Sequence, residues 1–159
     1  IAELRIAIGH QIQHFLLQRA ADEVEDCGDG RRPTHRAHAL RERQHVLTVA
    51  TGKSRKGLTE ALNTVQLQGV FDASRTADET AGKPNPLMLQ ELMGEFGVPP
   101  ERTLMVGDTT HDLEMAKRAG CPSVGVSYGA HDHSEFEPLK PRFVAHSVRE
   151  LHDWLLVNG

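Results

Sequence analysis

From Val46 onward the sequence alternates between short apolar runs and amphipathic stretches, with turn residues between them. Short β-branched runs that end at glycine indicate buried strands, and apolar residues at helical spacing indicate helices. Strands and helices in close alternation are typical of a parallel sheet with helices on both faces, so we expect an α/β, Rossmann-like fold. The pattern predicts strands over 46–50, 70–74, 103–107, 123–127 and 142–145, and helices over 54–66, 85–96, 110–119 and 148–157.

The composition excludes several classes of protein. Of 159 residues, 38% are hydrophobic and 25% are charged, which is typical of folded rather than disordered chains. The net charge of −4 gives no bulk attraction for nucleic acid. No apolar run approaches the roughly 20 residues of a membrane span, and the start shows no signal-peptide pattern. We therefore expect a cytoplasmic protein with no nucleic-acid or membrane partner and with two unpaired thiols, Cys27 and Cys121.

The first 38 residues differ from the rest, because they are rich in histidine, arginine and glutamine. Apolar residues at helical spacing indicate one amphipathic helix over residues 2–26, whereas the short run 4–8 is equally typical of a strand. The periodicity leaves both open. We divide the chain into an unassigned segment, 1–38, and a core domain, 39–159.

Three motifs follow predicted strands or open predicted helices, and open parallel sheets bind ligands beyond the carboxyl ends of their strands. The first motif is Thr51-Gly52-Lys53. A hydroxyl and unpaired amides at a helix N-terminus attract anions. The alternative is a plain helix cap, in which Thr51 or Ser54 only accepts hydrogen bonds from helix amides. For this motif alone, capping is favoured.

The second and third motifs supply charge. In Gly82-Lys83-Pro84-Asn85-Pro86 two prolines fix the loop, so the ammonium of Lys83 could pair with phosphate and carboxylate together. The alternative is a solvated lysine in a turn. In the third motif, Asp108 ends a strand and Asp112 lies one helical turn later, a spacing that suits Mg²⁺ with oxygen ligands. Helix capping by Asp108 or Thr109 is the alternative here.

Together, the strings VATGKS, TADETAGKPNP and MVGDTTHDLEMAKRAG resemble the second, third and fourth signatures of haloacid dehalogenase-like hydrolases, in order and in spacing. The wording is similar to that of the phosphoglycolate phosphatase subgroup. The resemblance covers roughly residues 40–156.

The resemblance implies a role for each matching residue. Thr51, helped by the Gly52 amide, would hydrogen-bond the transferring phosphoryl oxygen. Lys83 would neutralise its charge and orient the nucleophile. Asp108 would bind Mg²⁺, and Asp112 would hold a metal-bound water or Lys83. Members of the family form an aspartyl-phosphate and then hydrolyse it.

The family's first signature, D-x-D-G-[TV], is missing from the sequence. The nearest string, 26–30, has two residues between its acids and follows no apolar strand, so we reject it as the nucleophile. We therefore expect a core that lacks its first central strand, unless residues 4–8 fill the gap. Our hypothesis is that the sequence is a fragment, either truncated or translated out of frame over its first 38 or so residues.

The expected function is that of an Mg²⁺-dependent phosphatase acting on a small, phosphoglycolate-like phosphorylated metabolite. For lack of the nucleophilic aspartate, we expect this chain to have little turnover. The alternatives are a non-catalytic phosphate-binding or interaction module and, among enzymes, a sugar phosphomutase. The sequence leaves the substrate and the oligomeric state open.

Overall fold

The computed structural model describes residues 5–9, 43–64, 67–128 and 132–158. This part of the chain forms ten main elements. They are β1 (Arg5–Gly9), β2 (Val46–Thr51), α1 (Arg55–Thr64), β3 (Ala73–Thr76), α2 (Leu87–Phe96), β4 (Thr103–Gly107), α3 (Thr110–Ala119), β5 (Ser123–Val126), β6 (Phe143–Ala145) and α4 (Val148–Asn158). Two short 3₁₀ helices, Pro100–Arg102 and His133–Leu139, precede β4 and β6.

The six strands form one parallel sheet in the order β3-β2-β1-β4-β5-β6. This confirms the predicted α/β fold with a parallel sheet. The first central strand is present rather than missing, because β1 lies between β2 and β4 and residues 5–9 fill the gap, as the stated alternative allowed. Ile8 stands opposite Val49 on one side and Val106 on the other.

The physical reason is backbone pairing. Without β1, the facing edges of β2 and β4 would leave buried amides and carbonyls to be satisfied in another way. The run 5–9 therefore adopts the strand rather than the helix interpretation. The rest of the predicted helix 2–26, the string 26–30 and Cys27 lie outside the described residues.

The core has a layer on each face of the sheet, as alternation along β4 shows. Leu104 and Val106 face a cluster that includes Leu151 and Leu155 of α4. Met105, between them, faces the opposite cluster. That cluster is built from α2 and α3 and contains Met88, Leu89, Leu92, Met115 and Ala116. Each face of the sheet is therefore covered by helices, and the strand ends are left to form a site.

Strand β3 begins three residues later than predicted. Gly69 adopts a left-handed φ of 76°, and the amide of Val70 bonds the carbonyl of Leu67 at 3.2 Å, so this apolar stretch opens with a turn. Asp72 then bridges to Leu47 with two hydrogen bonds, of 2.8 and 2.9 Å. The strand itself is the polar string ASRT, and pairing with β2 rather than propensity makes it a strand.

Two expectations from composition concern membrane spans and the cysteine thiols. None of the helices in the described ranges is long and apolar enough to cross a membrane. Cys121 is a free, buried thiol whose burial raises its pKa to about 11.

Candidate active site

The loop after β2 keeps the hydroxyl of Thr51 at the carboxyl edge of the sheet. Thr51 is fully buried, and its Oγ1 accepts a hydrogen bond from the amide of Lys53 at 3.1 Å. The hydroxyl of Ser54 accepts from the Gly57 amide at 3.1 Å, so Ser54 rather than Thr51 caps the first turn of α1. Because an accepting hydroxyl keeps its own proton, Thr51 retains a donor for a ligand. Gly52 is exposed, and a Cβ there would meet nothing within 4 Å.

Lys83 reaches from the loop before α2 to the start of α3. The Lys83–Pro84 peptide bond is cis, and the Lys83 side chain is only 10% exposed. Its Nζ forms an ion pair and hydrogen bond with Oδ1 of Asp112. Two of the predicted site residues, 29 positions apart in sequence, are thus in direct contact.

Asp112 is held on its other side by the residue that caps α3. Thr109 Oγ1 donates to Oδ2 of Asp112 at 3.0 Å and accepts from the Asp112 amide at 3.2 Å. Thr109 is therefore the N-cap, as one alternative predicted, and Asp108 is not. A Cβ on Gly107 would lie 2.2 Å from the Cβ of Asp112, so only glycine allows this carboxylate to pack against the end of β4.

Asp108 follows β4 directly and is buried to the same degree as Asp112, at 1% exposed. Burying a carboxylate is costly unless a cation or hydrogen bonds compensate it. Asp108, Asp112 and Lys83 together carry two negative charges and one positive charge, which leaves this group of three net negative.

These residues fit a magnesium ion better than a metal held entirely by protein. Mg²⁺ prefers oxygen ligands and usually takes one or two carboxylates, completing its shell with water and substrate phosphate. Within the described ranges, no group of three or more His, Cys, Asp or Glu residues is arranged to hold a metal ion. Asp108 is the carboxylate suited to contact Mg²⁺, since Asp112 already binds Lys83.

Thr51 ends β2 and Asp108 follows β4, and these two strands lie on opposite sides of β1. Gly9, the last residue of β1, stands opposite Ala50, so β1 ends one residue before β2. Two strand spacings of about 4.8 Å each separate β2 from β4, a gap of the size of a phosphate group with its hydrogen bonds. The next residue in the sequence after Gly9 is His10, and no aspartate follows there.

A second polar cluster, which none of the sequence motifs predicted, lies beside this edge. Arg55, at the start of α1, binds the carboxylate of Glu79 in the loop after β3. That hydrogen bond lowers the pKa of Glu79 to about 2 and raises the pKa of Arg55. A hydrogen bond from Thr76 is the main cause that lowers the pKa of Asp78. The sequence does contain a weak signal for this cluster. Arg55 lies four residues after the end of β2, and Asp78 and Glu79 lie two and three residues after the end of β3, the neighbouring strand.

Comparison with known proteins agrees with the motif reading. The HAD-hydrolase-like family model matches residues 80–151, which contain Lys83, Asp108 and Asp112. A phosphoglycolate phosphatase of Vibrio vulnificus is 35% identical over 127 residues, which are 76% of this chain and 54% of that protein. A pyrophosphatase of Bacillus mycoides is 31% identical over 113 residues, which are 70% of this chain and 53% of that protein.

A solved structure, that of a predicted phosphoglycolate phosphatase from Haemophilus somnus, superimposes with a TM-score of 0.71 at 26% identity. The superposition covers 80% of this chain and 56% of that one. The chain thus spans about half the length of the curated relatives that it matches.

Proposed function

Because this chain belongs to the haloacid dehalogenase-like superfamily, we propose that residues 39–159 are the core of a cytoplasmic, Mg²⁺-dependent phosphatase. Its substrate would be a small phosphorylated metabolite, with phosphoglycolate-like monoesters as the first choice. The ion pair between Lys83 and Asp112, next to buried Asp108, carries the proposal. It joins an ammonium to a net negative group of side chains at the strand ends, where a phosphate and a divalent cation could be bound together.

Thr51 and Gly52 on the β2 side, together with Lys83 from the opposite flank, would bind the phosphoryl group. The hydroxyl of Thr51 donates to one phosphoryl oxygen, and the exposed backbone at Gly52 lets the ligand approach closely. Lys83, held in place by Asp112, offers its remaining ammonium protons to a second oxygen. Fixed donors of this kind need no reorganisation as charge shifts during phosphoryl transfer, which is the main contribution that such sites make.

The residues on the β4 side would hold the cation. Asp108 would bind Mg²⁺, and Asp112 would hold Lys83 beside it. When bound, Mg²⁺ supplies positive charge that neutralises the phosphoryl oxygens. Relatives named for phosphoglycolate and for pyrophosphate are both similar to this chain over more than two thirds of its length. We therefore propose that the substrate is selected by parts of the protein other than these core motifs.

We further propose that the 159-residue chain by itself binds phosphate with little turnover. In this superfamily the phosphoryl group is transferred to an aspartate that directly follows the central strand, whereas in this sequence Gly9, the last residue of β1, is followed by His10. The same observation favours the second candidate function, a non-catalytic phosphate-binding module.

An aryl phosphate assay tests the proposal. With Mg²⁺, we expect this chain to release little product, and inorganic phosphate to raise its melting temperature. Lys83→Met should abolish that rise, while Lys117→Met, which changes an exposed lysine on α3, should retain it. Clear turnover would refute the inactivity of the chain and support the phosphatase. Absence of any phosphate effect would refute both candidate functions.

A further inference from the structure

The side chain of Arg55 connects the loop after β2 with the loop after β3. Its Nε and Nη2 donate to the two carboxylate oxygens of Glu79 at 2.7 and 2.6 Å. Its Nη1 donates to the hydroxyl of Ser74 at 2.6 Å. A guanidinium that binds a carboxylate through two parallel hydrogen bonds is fixed in orientation as well as in position.

The carboxylate of Asp78 holds the backbone at the same point. Its Oδ1 and Oδ2 accept from the Arg55 amide at 3.1 and 3.2 Å. Oδ1 also accepts from the hydroxyl of Thr76 at 2.6 Å. Asp78 therefore joins the first helical amide of α1 to the end of β3.

These contacts surround the short loop that carries Thr51 and Gly52. Thr51 and Thr76 are partners in the sheet register, and both are fully buried. Between Thr51 and Arg55, the carbonyl of Lys53 accepts from the Ala77 amide at 3.1 Å. The loop is thus attached to the end of β3 at Lys53 and again at Arg55.

We infer that Arg55, Asp78 and Glu79, together called the Arg55 clamp, position the loop 51–54 for binding phosphate. This inference rests on the proposed function. The clamp residues act through the loop, since their hydrogen bonds go to one another, to backbone and to Ser74 and Thr76. They are positioning residues and touch no reacting atom.

Exposure separates this role from a general contribution to stability. The side chains of Arg55 and Glu79 are each 41% exposed, and exposed ion pairs contribute little to the free energy of unfolding. The pair between Arg75, which is 24% exposed, and Glu95, which is 44% exposed, links β3 to α2 but does not touch the loop. It therefore provides a matched control of the same chemistry.

The test follows the amide hydrogen exchange of Lys53 by NMR, alongside phosphate titrations. Asp78→Ala removes the acceptor for the Arg55 amide. We expect faster exchange at Lys53, at most a slightly lower melting temperature, and about tenfold weaker phosphate binding, which is the lower end of the range for residues that orient metal ligands. Asp78→Asn keeps an acceptor and should restore most of both. Glu79→Gln should act in the same direction as Asp78→Ala, and Glu95→Gln should change neither quantity.

Phosphate binding tests the proposed function, and amide exchange at Lys53 tests the clamp. If the wild-type chain binds no phosphate, the proposed function fails, while the Lys53 exchange rate still decides whether the clamp holds the loop. Equal exchange in wild type, Asp78→Ala and Glu79→Gln would overturn the clamp. So would an equal effect of Glu95→Gln, because that would mark a general loss of stability.

Discussion

The central strand β1 and its neighbours β2 and β4 are alike in backbone but different in chemistry. All three run parallel and in register. Yet β2 ends at Thr51 and β4 is followed by Asp108, whereas β1 ends at Gly9 with His10 next in the sequence. A place in a sheet is decided by backbone pairing along several residues, while catalysis depends on one side chain at the end. A chain can therefore keep the central strand without a catalytic side chain at the end of that strand.

This difference makes the flanks of the site testable apart from its centre. Thr51 with Gly52 forms one flank, and Lys83, Asp108 and Asp112 form the other. Changes in the flanks should alter phosphate binding. Changes in β1 should alter the sheet.

The largest effect is expected from Lys83→Met, which leaves the carboxylate of Asp112 buried at 1% exposure without its ammonium partner. Breaking a buried pair by removing one partner costs about 3 kcal/mol or more of unfolding free energy. Urea denaturation measures this cost. The double variant Lys83→Met with Asp112→Asn removes both charges, so it should regain part of the stability and none of the phosphate binding. A single variant as stable as wild type would contradict the buried pair.

Next in size is Ala7→Pro, which tests β1 directly. Ala7 pairs with Thr48 on one side and Met105 on the other. Proline removes an amide donor from the middle of a sheet, at a cost of about 2 kcal/mol or more. The midpoint of urea unfolding should fall accordingly. An unchanged midpoint would show that residues 5–9 are not the central strand.

A smaller loss of stability is expected from Gly107→Ala. The added Cβ would meet the Cβ of Asp112 at 2.2 Å, and overpacking of this kind costs about 1–3 kcal/mol. Because the clash pushes on Asp112, phosphate binding should weaken as well. Gly94→Ala is the control, since a Cβ there meets nothing within 4 Å and the position is inside α2. It should stabilise the protein slightly, because alanine favours a helix over glycine. Calorimetric melting of both variants checks the contrast.

The smallest effect is expected in the pH dependence of stability, through the ion pair between Arg55 and Glu79. Hydrogen bonding to Arg55 lowers the pKa of Glu79 from 4.5 to about 2. A carboxylate with a depressed folded-state pKa stabilises the fold above its unfolded pKa, and that contribution disappears as pH falls through the folded value. The melting temperature of Glu79→Gln should therefore lie slightly below wild type near neutral pH. The difference should shrink between pH 4.5 and about 2. A difference that stays constant across this window would contradict the pairing.

Much of the fold was predictable, because apolar periodicity places strands and helices without knowledge of their partners. Helix α3 begins and ends where predicted, and Gly97 and Gly120 close α2 and α3 in the left-handed conformation. Strand β3 was misplaced because its residues are polar and its pairing partner, not its own pattern, selects it. The sequence left residues 5–9 undecided between strand and helix, because five residues are too few to separate the strand period of 2 from the helix period of 3.6.

The candidate site likewise has a part that local sequence patterns predict and a part that depends on strand pairing. Thr51, Lys83, Asp108 and Asp112 were predicted as site residues from motifs. The structure shows the contact of Lys83 with Asp112, one of the two roles expected for Asp112, and identifies Thr109 as the helix cap. The Arg55 clamp could not be predicted, because no local pattern shows that two loops 23 residues apart share an edge. That information lies in the register of β2 with β3.

Calorimetric titration of inorganic phosphate into this chain, with and without Mg²⁺, tests the central claim most directly. We expect that phosphate binds, that Mg²⁺ tightens the binding, and that Asp108→Asn removes the Mg²⁺ effect while leaving weak binding through Thr51 and Lys83. Phosphate binding that is absent from wild type, or that responds to Mg²⁺ equally in wild type and Asp108→Asn, would contradict it.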